Sequence, residues 1–269
     1  VERLRPLAPV ETNVSFGFND LSSCLQAMQA IERLEFTRTC QAYNNILAAH
    51  LILAPHRIQD KSEKEKLLRQ LPPYQLNLGL GGTAEMVALY EQIAANEAKK
   101  NNGFLYELDE DDARILESIS EGASRGIMHM YAPYSGFAAV IGCLPITHVE
   151  EINTTVKNIV RKYNIKDPIS GEPQEHELIV IPYDRCSTVY VEQEILYDPA
   201  GDKSSLDAIK QCLRECYTTV VGNYGASHTI PNKTLMKMMQ PSYAELLKNF
   251  KKMIDPENIM LPGGPYSLE

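Results

Sequence analysis

Tyr74-Gln75-Leu76-Asn77-Leu78-Gly79-Leu80-Gly81-Gly82-Thr83-Ala84 is the stretch on which the fold turns. Its second half is a G-x-G-x-x-A between a predicted strand and a predicted helix. Glu107 closes the next predicted strand, so the stretch imitates a dinucleotide fingerprint. In that reading the glycines let the backbone approach a pyrophosphate at a helix N-terminus, and Glu107 takes a ribose hydroxyl. The first half argues the other way. A central strand of a doubly wound parallel sheet is covered on both faces, and the strict alternation over residues 74–78 would then bury Gln75 and Asn77. A strand with one covered face, ending in a plain strand-to-helix turn, is the preferred reading. A nicotinamide-dependent parallel-sheet enzyme is the competing one.

Outward from this stretch the pattern is strand and helix in alternation. Residues 11–18 alternate polar and apolar before Asn19-Asp20, which can cap a helix over residues 21–34. Residues 40–54 are apolar and ambiguous, residues 59–70 read as a solvated helix ended by Pro72-Pro73, and a helix over residues 83–99 leads to a strand over residues 104–108. The order then recurs. An apolar strand over residues 137–143 precedes a helix whose Val149, Ile152, Val156, Ile159, Val160 and Tyr163 form one stripe. Strands follow over residues 177–182 and 188–197, with Val189, Val191, Ile195 and Tyr197 on one face and Glu192 and Glu194 on a wet one. Helices over residues 204–221 and 243–253 complete the chain. This predicts an α+β fold: a largely antiparallel sheet with helices on one side, built from ferredoxin-like split β-α-β repeats, with a C-terminal helical segment.

The 269 residues carry 26 Lys plus Arg against 35 Asp plus Glu, a formal charge of −9. The basic residues are scattered, so no electrostatic footprint for a nucleic acid backbone exists. The longest apolar stretch, over residues 137–146, is interrupted by Gly142 and Pro145 and falls short of the roughly 20 residues of a membrane helix. The cysteines, at positions 24, 40, 143, 186, 212 and 216, form no C-x-x-C pair, and no signal peptide opens the chain. A reduced, cytoplasmic setting is expected. The start at Val1 rather than Met suggests a processed or truncated product.

Other local motifs favour structural readings. The acidic run over residues 107–112 lacks the alternation, central Gly and terminal Glu of a Ca²⁺ loop and reads as a solvated helix N-terminus. The histidines at 50, 56, 129, 148, 176 and 228 show no ligand spacing, so no metal is expected. Cys212 and Cys216 lie four apart on a predicted helix, where packing residues are the rule.

The tail is more informative. Leu246-Leu247-Lys248-Asn249-Phe250-Lys251-Lys252-Met253-Ile254-Asp255-Pro256-Glu257-Asn258-Ile259-Met260-Leu261-Pro262-Gly263-Gly264 reads as a helix, a stop and an extended segment, the form of a terminus docked onto another body. It resembles the chain ends of flavin-linked oxidases of the vanillyl-alcohol oxidase and 4-cresol dehydrogenase (methylhydroxylase) type, which close on a helix, Asp-Pro, an Ile and Pro-Gly. Upstream, Gly222-Asn223-Tyr224 is similar to the family's Gly-x-Tyr-Arg-Thr stretch. The resemblance is strongest from about residue 144 onward and loose before Pro72.

This resemblance implies a cap, or substrate, domain lying over the isoalloxazine ring of FAD, followed by a segment that returns to the flavin-binding domain. It divides the chain into residues 1–60, which complete the flavin domain or lead into the cap, a cap over 61–221, and a returning segment over 222–269. The loop that grips the FAD pyrophosphate has no counterpart here, so the implied partner is an N-terminal FAD-binding domain or subunit. The implied reaction is hydride transfer to flavin from a small alcohol, alkylphenol or 2-hydroxy acid, with little activity from the chain alone. Oligomeric state stays open. Tyr224 matches the family's active-site tyrosine, which hydrogen-bonds the substrate hydroxyl. Where the family has the arginine that pairs with a phenolate, this chain has Gly225, which weakens the case for phenolic substrates. His228, in Ser227-His228-Thr229-Ile230-Pro231, matches the histidine of the related 2-hydroxy-acid dehydrogenases and is the candidate base. Asn258, Pro262 and Gly263 are the residues implied at the cofactor. Residues 137–145 offer no histidine or tyrosine to tether the flavin, so a non-covalent cofactor is expected, although His129, Tyr131 and Tyr134 lie nearby. A non-catalytic assembly subunit or degenerate module of a flavoprotein complex is the alternative.

Overall fold

The computed structural model describes residues 8–53, 60–106, 136–168, 170–224 and 241–260. The first half contains β1 (Val10–Phe18), α1 (Leu21–Glu32), β2 (Thr37–Asn44), α2 (Asn45–Leu53), α3 (Lys61–Gln70), β3 (Tyr74–Gly82), α4 (Ala84–Lys100) and β4 (Phe104–Leu105). The second contains β5 (Gly136–Pro145), α5 (Val149–Tyr163), β6 (Glu177–Tyr183), β7 (Thr188–Tyr197), α6 (Lys203–Tyr224) and α7 (Pro241–Ile254).

All seven strands join one antiparallel sheet in the order β4-β1-β3-β2-β6-β7-β5. The first four follow the path of a split β-α-β unit, with α2 and α3 inserted between β2 and β3. Strands β5, β6 and β7, with α5 and α6, repeat that path in the order β6-β7-β5. The two units meet where Ala42 faces Val180 and Tyr43 faces Ile179. The ferredoxin-like α+β reading of the sequence is therefore the observed architecture.

Local chemistry sets the element boundaries. The Asp20 carboxylate accepts the Ser23 backbone N–H at 2.8 Å and starts α1, and the Thr83 hydroxyl accepts that of Met86 at 3.3 Å and starts α4. Asn164, in the left-handed region at φ 48°, ends α5. Asn44 has two tasks. Its side-chain oxygen accepts from the Leu47 N–H at 3.1 Å, opening α2, and from the Leu178 N–H at 3.2 Å, tying β2 to β6.

One continuous core lies between the sheet and α1, α4, α5 and α6. Phe16, Phe18, Leu76, Leu78 and Leu80 fill its first half, and Val140, Ile152, Val156, Val191 and Ile195 its second. Burying each of the larger aliphatic groups contributes roughly 1.5–3 kcal/mol before entropy is charged against it. Helices α2 and α3 depart from the one-sided arrangement. Leu47, Ala48, Leu51 and Ile52 form a second cluster with Tyr43, Ile179 and Leu196, which project from the opposite face. This explains why residues 40–54 gave no clear period: α2 is enclosed on nearly every side. The expected strand over 104–108 shortens to Phe104–Leu105, and the residues from 107 lie outside the described set.

Candidate functional site

Among the described residues, α2 and α3 cover one end of the sheet face opposite the main core, and side-chain alternation decides what that face presents. One row across the strands runs Gly17, Gln75, Tyr43, Ile179, Glu192, Ile141. The neighbouring row carries Ser15, Asn77 and Gln41 on one unit and Ile181, Tyr190 and Cys143 on the other, all half-buried.

Two polar groupings occupy this face. On the first unit the Ser15 hydroxyl donates to Asn77 Oδ1 at 2.5 Å, and Asn77 shares a further hydrogen bond with the Tyr43 phenol. Beside them Gln75 is 0% exposed with neither amide atom partnered. Such groups are costly to leave unsatisfied, by about 1–3 kcal/mol each, and are commonly answered by water or a ligand. On the second unit the Tyr190 hydroxyl donates to Glu192 Oε2 at 2.6 Å. Burial, followed by this bond to Glu192, holds the Tyr190 phenol above its usual range.

A buried ionic cluster lies under α2 and α3. The His50 ring bonds Glu177 through Nδ1, and its Nε2 is 3.5 Å from Asp167 Oδ2. Lys64 Nζ pairs with Asp167, whose other oxygen accepts the Ser170 N–H at 2.7 Å. Burial alone would push His50 down, but the Glu177 carboxylate and the bonds to Asp167 and Glu177 outweigh it, and the ring sits above its ordinary value. Burial would likewise raise Asp167, yet the His50 bond and the Lys64 charge hold it far below the usual carboxylate range. A cavity of about 300 Å³ opens beside the cluster, but both lysines that line it are paired, Lys61 with Glu172 at 2.7 Å and Lys64 with Asp167.

The glycine-rich stretch has a different role from the fingerprint. Strand β3 pairs antiparallel with β1 and β2, and the register to β1 continues to Gly82. Gly79 is required because a Cβ there would collide with the Thr39 hydroxyl, and Gly81 because it would meet the Arg38 side chain. The nucleotide reading is thereby corrected: these glycines belong to a ladder, and Glu107 lies outside the described residues. The buried Cys212 and Cys216 bond each other, so a thiol nucleophile has no access to solvent.

Tyr224, at the end of α6, packs on the helix side of the sheet. Its ring centroid is 5.5 Å from that of His148, and burial, then a hydrogen bond from the phenol to Glu151, raises its pKa. The structure therefore does not bring Tyr224 together with Tyr190 and Glu192. His228, Pro262 and Gly263 lie outside the described residues, as do His129, Tyr131 and Tyr134.

The Asp-Pro motif forms a self-contained clip. The Asp255 carboxylate accepts the N–H groups of Ile259 and Met260, each at 2.9 Å, and pairs with Lys251, which also donates to the Met260 carbonyl. Asn258 supplies the left-handed residue of the turn at φ 51°. No residue of α7 is buried, although Leu246, Phe250, Met253 and Ile254 lie along it.

The sequence reading missed the Tyr190–Glu192 pair and the ionic cluster. The i, i+2 spacing of Glu192 and Glu194 did place both on one face, but that face is not uniformly wet. Glu194 is buried, directly opposite buried Glu177. Among the described residues no group fit to hold a metal ion is present, and no helix is long and apolar enough to cross a membrane.

No protein-family model matches the sequence, and no curated protein matches it. Solved structures do. The chain is similar to p-cresol methylhydroxylase with substrate bound, at TM-score 0.77 and 14% identity over 97% of this chain and 54% of that one. It is similar to 4-ethylphenol oxidase from Gulosibacter chungangensis, at TM-score 0.75 and 12% identity over 98% of this chain and 55% of that one. It is also similar to alkyldihydroxyacetonephosphate synthase, at TM-score 0.55 and 12% identity over 94% and 44%. All three are members of the FAD-linked oxidase family that the C-terminal motif resembles. At these identities the likeness establishes the fold, and the chain spans about half the length of the first two.

Proposed function

We propose that the chain is the substrate-domain half of an FAD-dependent oxidoreductase that removes hydride from a small alcohol, alkylphenol or 2-hydroxy acid, completed by an FAD-binding domain or subunit. The observation that carries this reading is the combination of a half-length fold likeness with a sheet face that, among the described residues, α2 and α3 cover at one end. Residues 61–221 then serve as the cap and 222–269 as the returning segment. Because β1 and β2 are interior strands of the same sheet, the reading favours residues 1–60 as the lead into the cap.

The described residues fit part of the cofactor. The face beyond α2 and α3 carries the half-buried polar groups of Ser15, Asn77, Tyr190 and Glu192, which suit one side of a planar ring. The pyrophosphate finds no cradle among the described residues, since the glycines that imitate one are paired in β3. FAD, held without a covalent tether, supplies a hydride acceptor. This chain's groups then bind the substrate, exclude water and position its hydroxyl. Asn258, with Pro262 and Gly263, belongs in this proposal to the returning segment beside the cofactor.

The resemblance gives Tyr224 the role of orienting the substrate hydroxyl and His228 that of accepting its proton. Two experiments test the reading. Mixing the chain with its FAD-binding half and FAD yields a yellow assembly with a bound-flavin spectrum; a colourless assembly would instead favour the non-catalytic subunit. That second reading gains from the engagement of the Tyr224 phenol by Glu151 on the helix side. Within the yellow assembly, Tyr224→Phe lowers turnover by roughly 10²–10³-fold with flavin retained. Unchanged turnover would reduce Tyr224 to a packing residue of α5 and α6.

A further inference from the structure

Glu192 lies in a largely apolar patch, with the buried Glu194 two residues on along the same face. Its cross-strand neighbours are Ile179 and Ile141, and the adjoining row brings Ile181, Tyr190 and Cys143. Tyr190 donates to one of its oxygens at 2.6 Å, which fixes the group and leaves the other oxygen free to accept. Among the described residues no lysine, arginine or histidine pairs with Glu192. The one cation that reaches over the open face from β2, Arg38, is already neutralised by Glu11 at 2.7 Å. Among the described residues the patch thus combines an apolar floor, a fixed negative acceptor and no counter-charge.

We propose that Glu192, held by Tyr190, selects the substrate of this site: an uncharged molecule with an apolar body and a hydroxyl donor, in preference to a phenolate or a 2-hydroxy carboxylate. The inference rests on the proposed function with the open face as its substrate side, and it assigns the substrate hydroxyl to Glu192 in place of Tyr224, which lies on the helix side of the sheet. A neutral hydroxyl donates to the free oxygen of Glu192 while its hydrocarbon body covers Ile141, Ile179 and Ile181. An anion in the same place meets a like charge in a partly desolvated setting and has no cation to relieve it. The choice between neutral and anionic substrates, left open by the tail motif and by Gly225, is thereby made by a strand residue far from both.

The experiment uses the chain assembled with its FAD-binding half and two probes that cannot lose hydride, 2-phenyl-2-propanol and benzoate. Binding is followed by calorimetry and by perturbation of the bound-flavin spectrum. The uncharged alcohol binds at least tenfold more tightly than benzoate, and Glu192→Gln narrows that ratio by tenfold or more, chiefly by tightening benzoate. Glu192→Met serves the same purpose should the glutamine variant fail to assemble. A wild-type preference for benzoate, or a ratio unmoved by both substitutions in a yellow assembly, overturns the role of Glu192 alone. Failure to form any yellow assembly overturns the function reading and this inference with it.

Discussion

Replacing Lys64 by methionine destabilises the chain by about 3–5 kcal/mol, which lowers the melting temperature by roughly 10 °C. The Lys64 and Asp167 side chains are only 9% and 4% exposed. Two such charges repay their desolvation only while both are present. Taking away the ammonium removes one of the charges that hold the buried Asp167 carboxylate ionised, and the Ser170 and His50 bonds then offset its desolvation only in part. Lys61→Met is the control. That lysine lines the same cavity and pairs with Glu172, but both side chains are about half exposed or more, so solvent screens the pair and the melting temperature hardly moves. Restoring neutrality with Lys64→Met and Asp167→Leu together recovers most of the lost stability. Equal melts for the two single lysine variants would show that Lys64 is solvated after all.

The same region sets an asymmetric dependence on pH. His176 is buried against Asn153, with Nε2 2.7 Å from Oδ1, and burial, then the Lys157 charge, pushes its pKa down to about 4. Between its ordinary 6.5 and 4 the unfolded chain holds a proton that the folded chain refuses, so stability falls with falling pH, by about 3 kcal/mol over that interval. His50 is shifted the opposite way. Its contribution is complete below 6.5 and is lost as pH rises through the raised folded value. Asp167, held low, keeps its contribution until the solution is more acid than the ordinary carboxylate range. Chemical denaturation across pH 4–9 therefore gives maximal stability near pH 6–7. His176→Asn flattens the acid arm alone, and an acid arm of unchanged slope in that variant would remove His176 from the account.

What the sequence made legible was what periodicity can carry. The alternation of Tyr74, Gln75, Leu76, Asn77 and Leu78 pointed to an antiparallel strand, which the pairing of β3 bears out although Gln75 is itself buried, and the stripe from Val149 to Tyr163 located α5. Three failures share one cause. The apolar run beyond Cys40 hides a strand and a helix because α2 is enclosed and has no solvated face to mark its period. Glu194 reads as a wet residue because alternation identifies a face without identifying what folds over it. His50 and Glu177 are 127 residues apart, and only the close of the sheet brings them together. The glycines at 79 and 81 are the converse case: a local signal, correctly noticed, whose purpose is set by Thr39 and Arg38 on the neighbouring strand. The Tyr190–Glu192 pair went unread although i, i+2 spacing puts both on one face, because its chemistry depends on the surrounding isoleucines, which come from β5 and β6.

Phe250→Asp weakens association with the FAD-binding half by 10²-fold or more while leaving the melting of the isolated chain unchanged within about 0.5 kcal/mol. The two halves of this expectation come from one observation. Phe250 is 54% exposed and Met253 70%, and α7 as a whole has no buried residue, so the helix contributes little to the core. Its apolar residues nevertheless recur at helical spacing, with Lys248, Lys251 and Lys252 among them, and the Asp255 clip fixes how the chain leaves the helix. An aromatic ring placed on such a stripe becomes an anchor once a second body removes it from water, and a carboxylate at the same position must then be buried without a partner. Lys252→Ser, a polar change on the same helix, alters association by less than threefold. Measuring both variants by titration against the flavin-bearing half separates docking from folding: tight binding by Phe250→Asp would detach α7 from the interface, whereas a lowered melting temperature of the chain alone would mean that α7 packs on its own cap.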